Sequence, residues 1–161
     1  MMEPLKQFIC DECGEIIERP EEGFVEWIRD EVDGRQQACG FRIVHHYKYS
    51  PLKGKKKDAC YKYGDHDGRS DDHLNHILDM KNQFILSFLD LGYFHSTEGN
   101  SCLITDFKEF ADFARRLTIP YYEQARLSFD KAMSDGDSDC NPYLIFREDT
   151  LKRMIEKHAE D

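Results

Sequence analysis

The sequence contains no long hydrophobic run and no export signal. Its apolar segments fall far short of the roughly 20 residues that a membrane-spanning helix needs. The N-terminal residues also lack the apolar run of about 7–15 residues that follows a basic start in a secretory signal. We therefore expect a cytoplasmic protein with no part embedded in a membrane.

The common sequence signatures of nucleotide-binding and hydrolase sites are also missing. There is no glycine-rich loop followed by Lys-Ser or Lys-Thr, no dinucleotide fingerprint and no Gly-x-Ser-x-Gly turn. Internal repeats at periods of about 20–50 residues are absent, which excludes solenoids and propellers. The sequence therefore indicates neither a substrate nor a reaction.

The chain carries an excess of negative charge. Its 161 residues include 32 acidic side chains against 22 lysines and arginines, so the formal net charge is −10, and 40% of the residues are hydrophobic. This composition is typical of a folded domain with a core. The negative charge repels nucleic acid unless a local patch reverses the sign.

Such a patch lies within residues 42–69, which contain eight lysines and arginines and three aspartates. At its centre is a Lys- and Tyr-rich loop, residues 47–63. Tyrosines can stack on bases and lysines can hold phosphates, so one hypothesis is a protein that associates with single-stranded nucleic acid through this loop. The alternative is a solvated loop that pairs with the protein's own carboxylates or with an acidic partner. The side chains concerned are Lys53, Lys55, Lys56, Lys57, Tyr47, Tyr49, Tyr61 and Tyr63.

The residue pattern changes near Gly64. Residues 23–29 and 40–47 are rich in aromatic and β-branched side chains, with Asp33-Gly34 as a turn signal between them, which predicts an antiparallel hairpin. We therefore divide the chain into a β module, residues 1–64, and a helical region, residues 65–161, packed together as one compact unit.

Four helices are predicted in the second half from apolar residues at steps of three and four. The first runs from a Ser70 cap to Leu91, and the second starts at Thr105 and ends before Pro120. The third has Pro120 in its first turn and closes at Gly136, and the last covers about residues 150–158. Short amphipathic helices of this kind bury their apolar faces against each other or against the hairpin.

The most specific local signal is Cys10-Asp11-Glu12-Cys13-Gly14. Two cysteines separated by two residues and followed by glycine form a tight turn whose sulfurs converge on one cation. This segment resembles the knuckle of zinc-ribbon and treble-clef modules, and the resemblance covers the N-terminal third of the chain. It implies a zinc ion whose tetrahedral site is half filled by this pair. A redox dithiol is the alternative, but Gly14 favours a turn over the helix start that a thioredoxin-like motif requires.

The other two ligands must come from further along the sequence, where four residues are candidates. Strand alternation places His45 on the apolar face of the second hairpin strand and His46 on the opposite face, unless a bulge exchanges them. Cys60 is expected to begin a return strand that closes the site. The predicted zinc ligands are therefore Cys10, Cys13, His45 and Cys60, with Cys39 as the main substitute. Four protein ligands leave no open position, so the predicted zinc is structural.

A second cluster of potential ligands spans residues 65–76. In the predicted helix His73 and His76 lie three residues apart, and with Asp72, His66 and a nearby His46 they could hold a second metal that activates water. This arrangement would make the protein a metal-dependent hydrolase. The spacing of His-Glu-x-x-His metalloproteases is absent, however, and aspartates at a helix start have a capping explanation.

The sequence thus predicts an α+β fold, in which a zinc-stapled antiparallel β-hairpin module packs against a small helical half. The leading hypothesis is a cytosolic zinc-binding protein that acts as an interaction or regulatory module with a protein partner. The metal-dependent hydrolase and the protein associated with single-stranded nucleic acid are its alternatives.

Overall fold

A computed structural model describes residues 1–32, 35–52, 59–62, 69–79, 103–104, 106–136 and 147–158. The fold is α+β, as predicted. Its strands are β1 (Phe8–Ile9), β2 (Ile16–Ile17), β3 (Gly23–Val32), β4 (Arg35–His45), β5 (Arg69–His73) and β6 (Leu103–Ile104). Its helices are α1 (Leu74–Asp79), α2 (Phe107–Thr118), α3 (Tyr122–Ala125), α4 (Phe129–Ser134) and α5 (Glu148–His158). No helix in these ranges is both long enough and apolar enough to cross a membrane.

The predicted hairpin is the centre of a four-stranded sheet with the order β5-β3-β4-β6. Strands β3 and β4 are antiparallel, β5 runs antiparallel to β3, and β6 runs parallel to β4. The register shifts between Glu26 and Ile28, which marks a bulge. Gly40 lies opposite this bulge with a φ of +65°, and a Cβ there would approach the side chain of Ile28 to 3.0 Å. The predicted turn residues Asp33 and Gly34 lie outside the described residues.

The prediction of a helix from Ser70 was wrong at its start. Residues 69–73 form β5, which pairs with β3 so that His73 lies opposite Phe24, and the helix begins only at Leu74. Ser70 and the aspartates after it are good helix-capping residues, but the open edge of β3 offers backbone hydrogen bonds that a local cap does not replace. Residues 80–91 of the predicted helix lie outside the described residues.

The prediction of a return strand at Cys60 was also wrong, because residues 59–62 are in neither a strand nor a helix. Strand β5 supplies the partner of β3 instead. Cys60 is nevertheless fully buried beneath the sheet. The loop therefore reaches the core through side-chain contacts and not through strand pairing.

The later helices follow the predicted order. The side chain of Asp106 caps α2 by accepting a hydrogen bond from the Glu109 backbone at 2.9 Å. The predicted third helix is interrupted: α3 passes through a short 3₁₀ turn, Arg126–Ser128, into α4 before Gly136. The last helix begins slightly before the predicted start, at Glu148.

The main core joins the sheet, the β1–β2 pair and α2. It contains apolar side chains from both sides of the predicted boundary at residue 64, which itself stays a prediction. A second, smaller core packs α3 against α5. The buried residues of the main core are Phe8, Cys10, Ile17, Phe24, Val25, Ile43, Val44, Cys60, Leu74, Phe110, Phe113 and Leu117.

Candidate metal centre

The two N-terminal cysteines lie in a tight turn that joins two very short antiparallel strands, β1 and β2. The backbone N–H of Cys10 donates to the carbonyl of Glu15 at 2.9 Å, and the N–H of Gly14 donates to the carbonyl of Cys10 at 2.9 Å. Gly14 has a φ of +76°, and a Cβ there would meet no atom within 4 Å. The left-handed backbone, and not lack of space, therefore favours glycine at this position.

Two further segments bring their side chains to this turn. His45 is the last residue of β4, and Cys60 lies in the loop beneath the sheet. One ligand atom from each of the four predicted residues, Cys10, Cys13, His45 and Cys60, lies within 4.8 Å of all the others. Three of the four side chains are buried and Cys13 is half-buried. Among the described residues this is the one group of three or more metal-ligating side chains.

The spacing of these atoms is close to that of a tetrahedral metal site. The Nδ1 atom of His45 lies 3.5 Å from the sulfur of Cys13 and 3.9 Å from the sulfur of Cys60. Zinc–sulfur and zinc–nitrogen bonds of about 2.3 and 2.0–2.1 Å place tetrahedral ligand atoms roughly 3.5–3.8 Å apart. The donor set and its spacing thus fit a single divalent ion.

The other ring nitrogen of His45 is positioned by the backbone. Its Nε2 atom lies 3.3 Å from the carbonyl oxygen of Ile16 in β2. A carbonyl oxygen only accepts, so Nε2 carries a proton and Nδ1 is the nitrogen that faces the sulfurs and would bind an ion. Metal-binding histidines commonly have an outer hydrogen bond of this kind, which fixes the ring and its tautomer.

A hydroxyl group orients the sulfur of Cys60. The Ser50 oxygen lies 3.1 Å from that sulfur and accepts hydrogen bonds from the backbone N–H groups of Leu52 and Cys60, each at 3.2 Å. Because these two donors use both lone pairs of the hydroxyl, its proton is left to point at the sulfur. Ser50 therefore favours a sulfur that accepts, which is the thiolate form.

The thiols influence one another's ionisation strongly. Burial opposes the charge on Cys10, but hydrogen bonds from His45 and from backbone N–H groups lower its pKa to about 6. Burial and the neighbouring Cys10 sulfur raise the pKa of Cys13 to about 12. Burial, together with the Cys10 charge, also raises the pKa of Cys60. One negative charge is thus accommodated within the cluster, and further thiolates need a cation to offset their repulsion.

One outer shell of charged groups ties the cysteine turn to the sheet. The carboxylate of Glu26 in β3 is fully buried, and it accepts from the Arg42 side chain at 2.7 Å and from the Lys62 backbone at 2.6 Å. Arg42 also contacts Glu12, between the two cysteines, at 2.8 Å. This network holds the Cys60 loop and the cysteine turn against the same strand pair.

A second outer shell ties the turn to the helices. The guanidinium of Arg116 in α2 donates to Glu123 at 2.8 and 3.0 Å, to Asp11 at 2.6 Å and to the carbonyl of Ile9 at 3.2 Å. Arg126 adds further hydrogen bonds to Glu123. Burial favours the neutral acid, but the two guanidinium groups keep the pKa of Glu123 below its usual value. Asp11 in turn accepts from the Ile43 backbone at 2.7 Å, so the turn also touches β4.

The other predicted candidates are not part of the cluster. Cys39 is in β4 opposite Ile28, and the structure does not bring it to the other thiols. The ring of His46 stacks on Phe24 at 4.7 Å, on the side predicted from strand alternation to be opposite His45.

The predicted hydrolase cluster is not assembled in the described residues. The rings of His46 and His73 are 6.0 Å apart between centroids, and His76 contacts Asp72 at 3.3 Å. These side chains do not form a metal-sized group, and His66 lies outside the described residues. The hydrolase hypothesis therefore gains no support from the geometry.

Several residues that shape the site were not foreseen from the sequence. Asp11 and Glu12 stand between the cysteines, and their position beside two predicted ligands was the available signal. The residues that pair with them gave no signal in the sequence. Arg116, for example, is separated from Asp11 by 105 positions. Comparison with protein-family models, with curated proteins and with solved structures finds no match for this chain.

Proposed function

We propose that this is a cytosolic zinc-binding protein in which Cys10, Cys13, His45 and Cys60 hold a structural zinc ion. The observation that carries the proposal is the convergence of these four donors to within 4.8 Å of one another. Thiolate and imidazole ligands in a tetrahedral arrangement are the preferred set for zinc, whereas calcium and magnesium prefer oxygen. The same pattern supports the resemblance of the cysteine turn to a zinc-ribbon or treble-clef knuckle.

The arrangement favours a structural role over a catalytic one. Four protein ligands fill a tetrahedral ion, so no position stays open for water or substrate. The ligands come from three separate segments, and an ion that holds them contributes directly to folding. Zinc binding contributes about 10–16 kcal/mol in small zinc-finger peptides, which is comparable to the whole stability of a domain, about 5–15 kcal/mol.

The surroundings of the cysteine pair do not favour a redox dithiol. In thioredoxin-like proteins the first cysteine begins a helix, whereas Cys10 and Cys13 lie between two strands. A third thiol and an imidazole also point at the pair. A metal ion needs these additional ligands, whereas disulfide exchange needs only the two cysteines.

Because the proposed metal site has no open coordination position, we expect the protein to act through contacts made by its surface. We therefore infer an interaction or regulatory module, in which the ion keeps the cysteine turn, the end of β4 and the Cys60 loop in one fixed arrangement. A protein partner is the expected ligand of such a module.

Metal analysis of the purified protein tests the zinc proposal. Protein prepared with a reducing agent and without chelator is expected to contain one zinc ion per chain by mass spectrometry. Replacement by cobalt should give the intense visible absorption of a tetrahedral site with thiolate ligands. Cys60→Ser should lose tight binding, whereas the matched control Cys39→Ser, another single cysteine replacement, should keep one ion. Protein that contains no metal and takes up neither ion would refute the proposal.

A further inference from the structure

A set of aromatic rings in contact lies next to the candidate metal centre and opens to solvent at one end. Phe24 is buried, and the ring of Tyr61 packs on it at 4.6 Å and the ring of His46 at 4.7 Å. The ring of Tyr47 follows at 4.2 Å from His46 in a tilted arrangement, and the ring of Tyr49 meets His46 edge-on at 5.9 Å. We call Phe24, His46, Tyr47, Tyr49 and Tyr61 the aromatic column. Its inner end belongs to the core and its outer end is formed by two tyrosines.

The outer rings are exposed although a hydrogen-bonded turn holds them in place. Tyr47 is 50% exposed and Tyr49 47% exposed. The backbone N–H of Tyr49 donates to the carbonyl of His46 at 2.9 Å, and the N–H of Lys48 donates to Nδ1 of His46 at 3.1 Å. The N–H of His46 itself donates to the carbonyl of Glu22 at 2.7 Å. Two rigidly presented rings can stack on a ligand at a low cost in conformational entropy.

Among the described residues, a lysine lies beside the outer end of the column. The ammonium group of Lys48 lies 5.9 Å from the centre of the Tyr47 ring. The sequence then continues into four lysines between positions 53 and 57, within a chain of net charge −10. At the inner end of the column, Asp71 accepts from the Tyr61 hydroxyl at 2.6 Å, and Asp72 contacts His76.

We propose that the outer end of the aromatic column is a stacking site for the bases of single-stranded nucleic acid. Exposed aromatic rings beside a lysine suit a ligand that has both exposed bases and phosphates. Stacking of a base on an aromatic side chain contributes about 1–3 kcal/mol. Single strands are favoured over duplexes because the bases of a duplex are stacked on each other. The negative charge of the rest of the chain repels polyanions elsewhere on the surface. This site is separate from the proposed zinc ligands and goes beyond the structural role of the ion.

The test uses the metal-loaded full chain and two fluorescein-labelled strands of equal length, about twelve nucleotides. One strand is oligothymidine and the other has abasic residues throughout, so that the charge is the same and only the bases differ. Fluorescence anisotropy should show binding to oligothymidine at least about fivefold tighter than to the abasic strand, the equivalent of one stacked base. Raising the salt from about 50 to 200 mM should weaken both.

Substitutions of the two outer tyrosines test whether the preference for the strand with bases depends on the aromatic column. Tyr47→Ala with Tyr49→Ala should abolish the preference for the strand with bases, and Tyr47→Leu with Tyr49→Leu, which keeps apolar bulk without rings, should do the same. Phe107→Ala removes an aromatic side chain of similar exposure, 57%, from α2 and should leave the preference unchanged. Zinc content and circular dichroism of each variant report whether it is folded.

Three results would overturn the proposal. If both strands bind equally well, the site recognises charge and not bases. If neither strand binds, nucleic acid is excluded as the ligand of this site. A preference that survives both tyrosine replacements would place the stacking elsewhere. Each result is independent of the zinc proposal, because the metal content is measured on the same samples.

Discussion

Replacement of Arg116 by methionine should destabilise the protein far more than replacement of its neighbour in α2. The Arg116 side chain is 9% exposed and contacts Asp11 and Glu123, the latter 7% exposed. Methionine fills similar space but leaves the Glu123 carboxylate buried with Arg126 as its remaining cationic partner. Removal of one member of a buried ion pair costs about 3–5 kcal/mol. We expect about 3 kcal/mol, since Arg126 is retained.

Urea unfolding of the metal-loaded protein at neutral pH measures this effect. The control Arg115→Met removes an adjacent arginine that is 35% exposed and pairs with Asp112, and it should cost less than about 1 kcal/mol. In the Arg116→Met background, Glu123→Gln should recover about 1–2 kcal/mol, because the amide keeps an acceptor for the Ile9 backbone and removes the stranded charge. A loss below about 1 kcal/mol for Arg116→Met, or no recovery in the double variant, would refute this account of the network.

Three further outcomes are expected. His45→Ala should abolish tight metal binding while His46→Ala retains it; equal loss in a chelator competition would contradict the assignment of Nδ1 of His45 to the site. Ser50→Ala should weaken zinc retention by about 10–100-fold, measured as the rate of transfer to a chromogenic chelator, since it removes the hydroxyl beside Cys60; an unchanged rate would mean that the hydroxyl does not orient the sulfur. The folded-state pKa of Glu123 lies below its ordinary value of 4.5, so its stabilisation is complete above that pH and declines as the pH falls. The difference in unfolding free energy between the wild type and Glu123→Gln should therefore narrow below about pH 4.5. A difference that widens as the pH falls would contradict the lowered pKa of Glu123.

Three of the four residues of the Cys/His cluster had a local signal in the sequence. The Cys-x-x-Cys-Gly spacing indicates a turn, and strand alternation separates His45 from His46. Both predictions depend on backbone geometry within a few residues, and the folded chain has the turn and the strand that they require. Cys60 was identified as a candidate for the right cluster although the strand predicted for it does not form.

The features that were missed depend on distant parts of the chain. Strand β5 carries helix-capping residues, and its conformation is decided by the edge of β3, about 45 residues earlier in the sequence. Strands β1 and β2 are two residues long, too short for any alternation to be visible. The contact of Arg116 with Asp11 also has no local signature. Tertiary pairing, and not local propensity, determines each of these features.

The order of strands in the main sheet has a consequence for synthesis on the ribosome. The two central strands, β3 and β4, are made first, and both outer strands, β5 and β6, come from later in the chain. All four proposed ligands, however, lie within the first 60 residues. The emerging chain can thus bind its ion while both edges of the hairpin are still unpaired and able to recruit other strands. Whether or not an ion is bound, the hairpin edges therefore stay open to aggregation until β5 and β6 have emerged and paired.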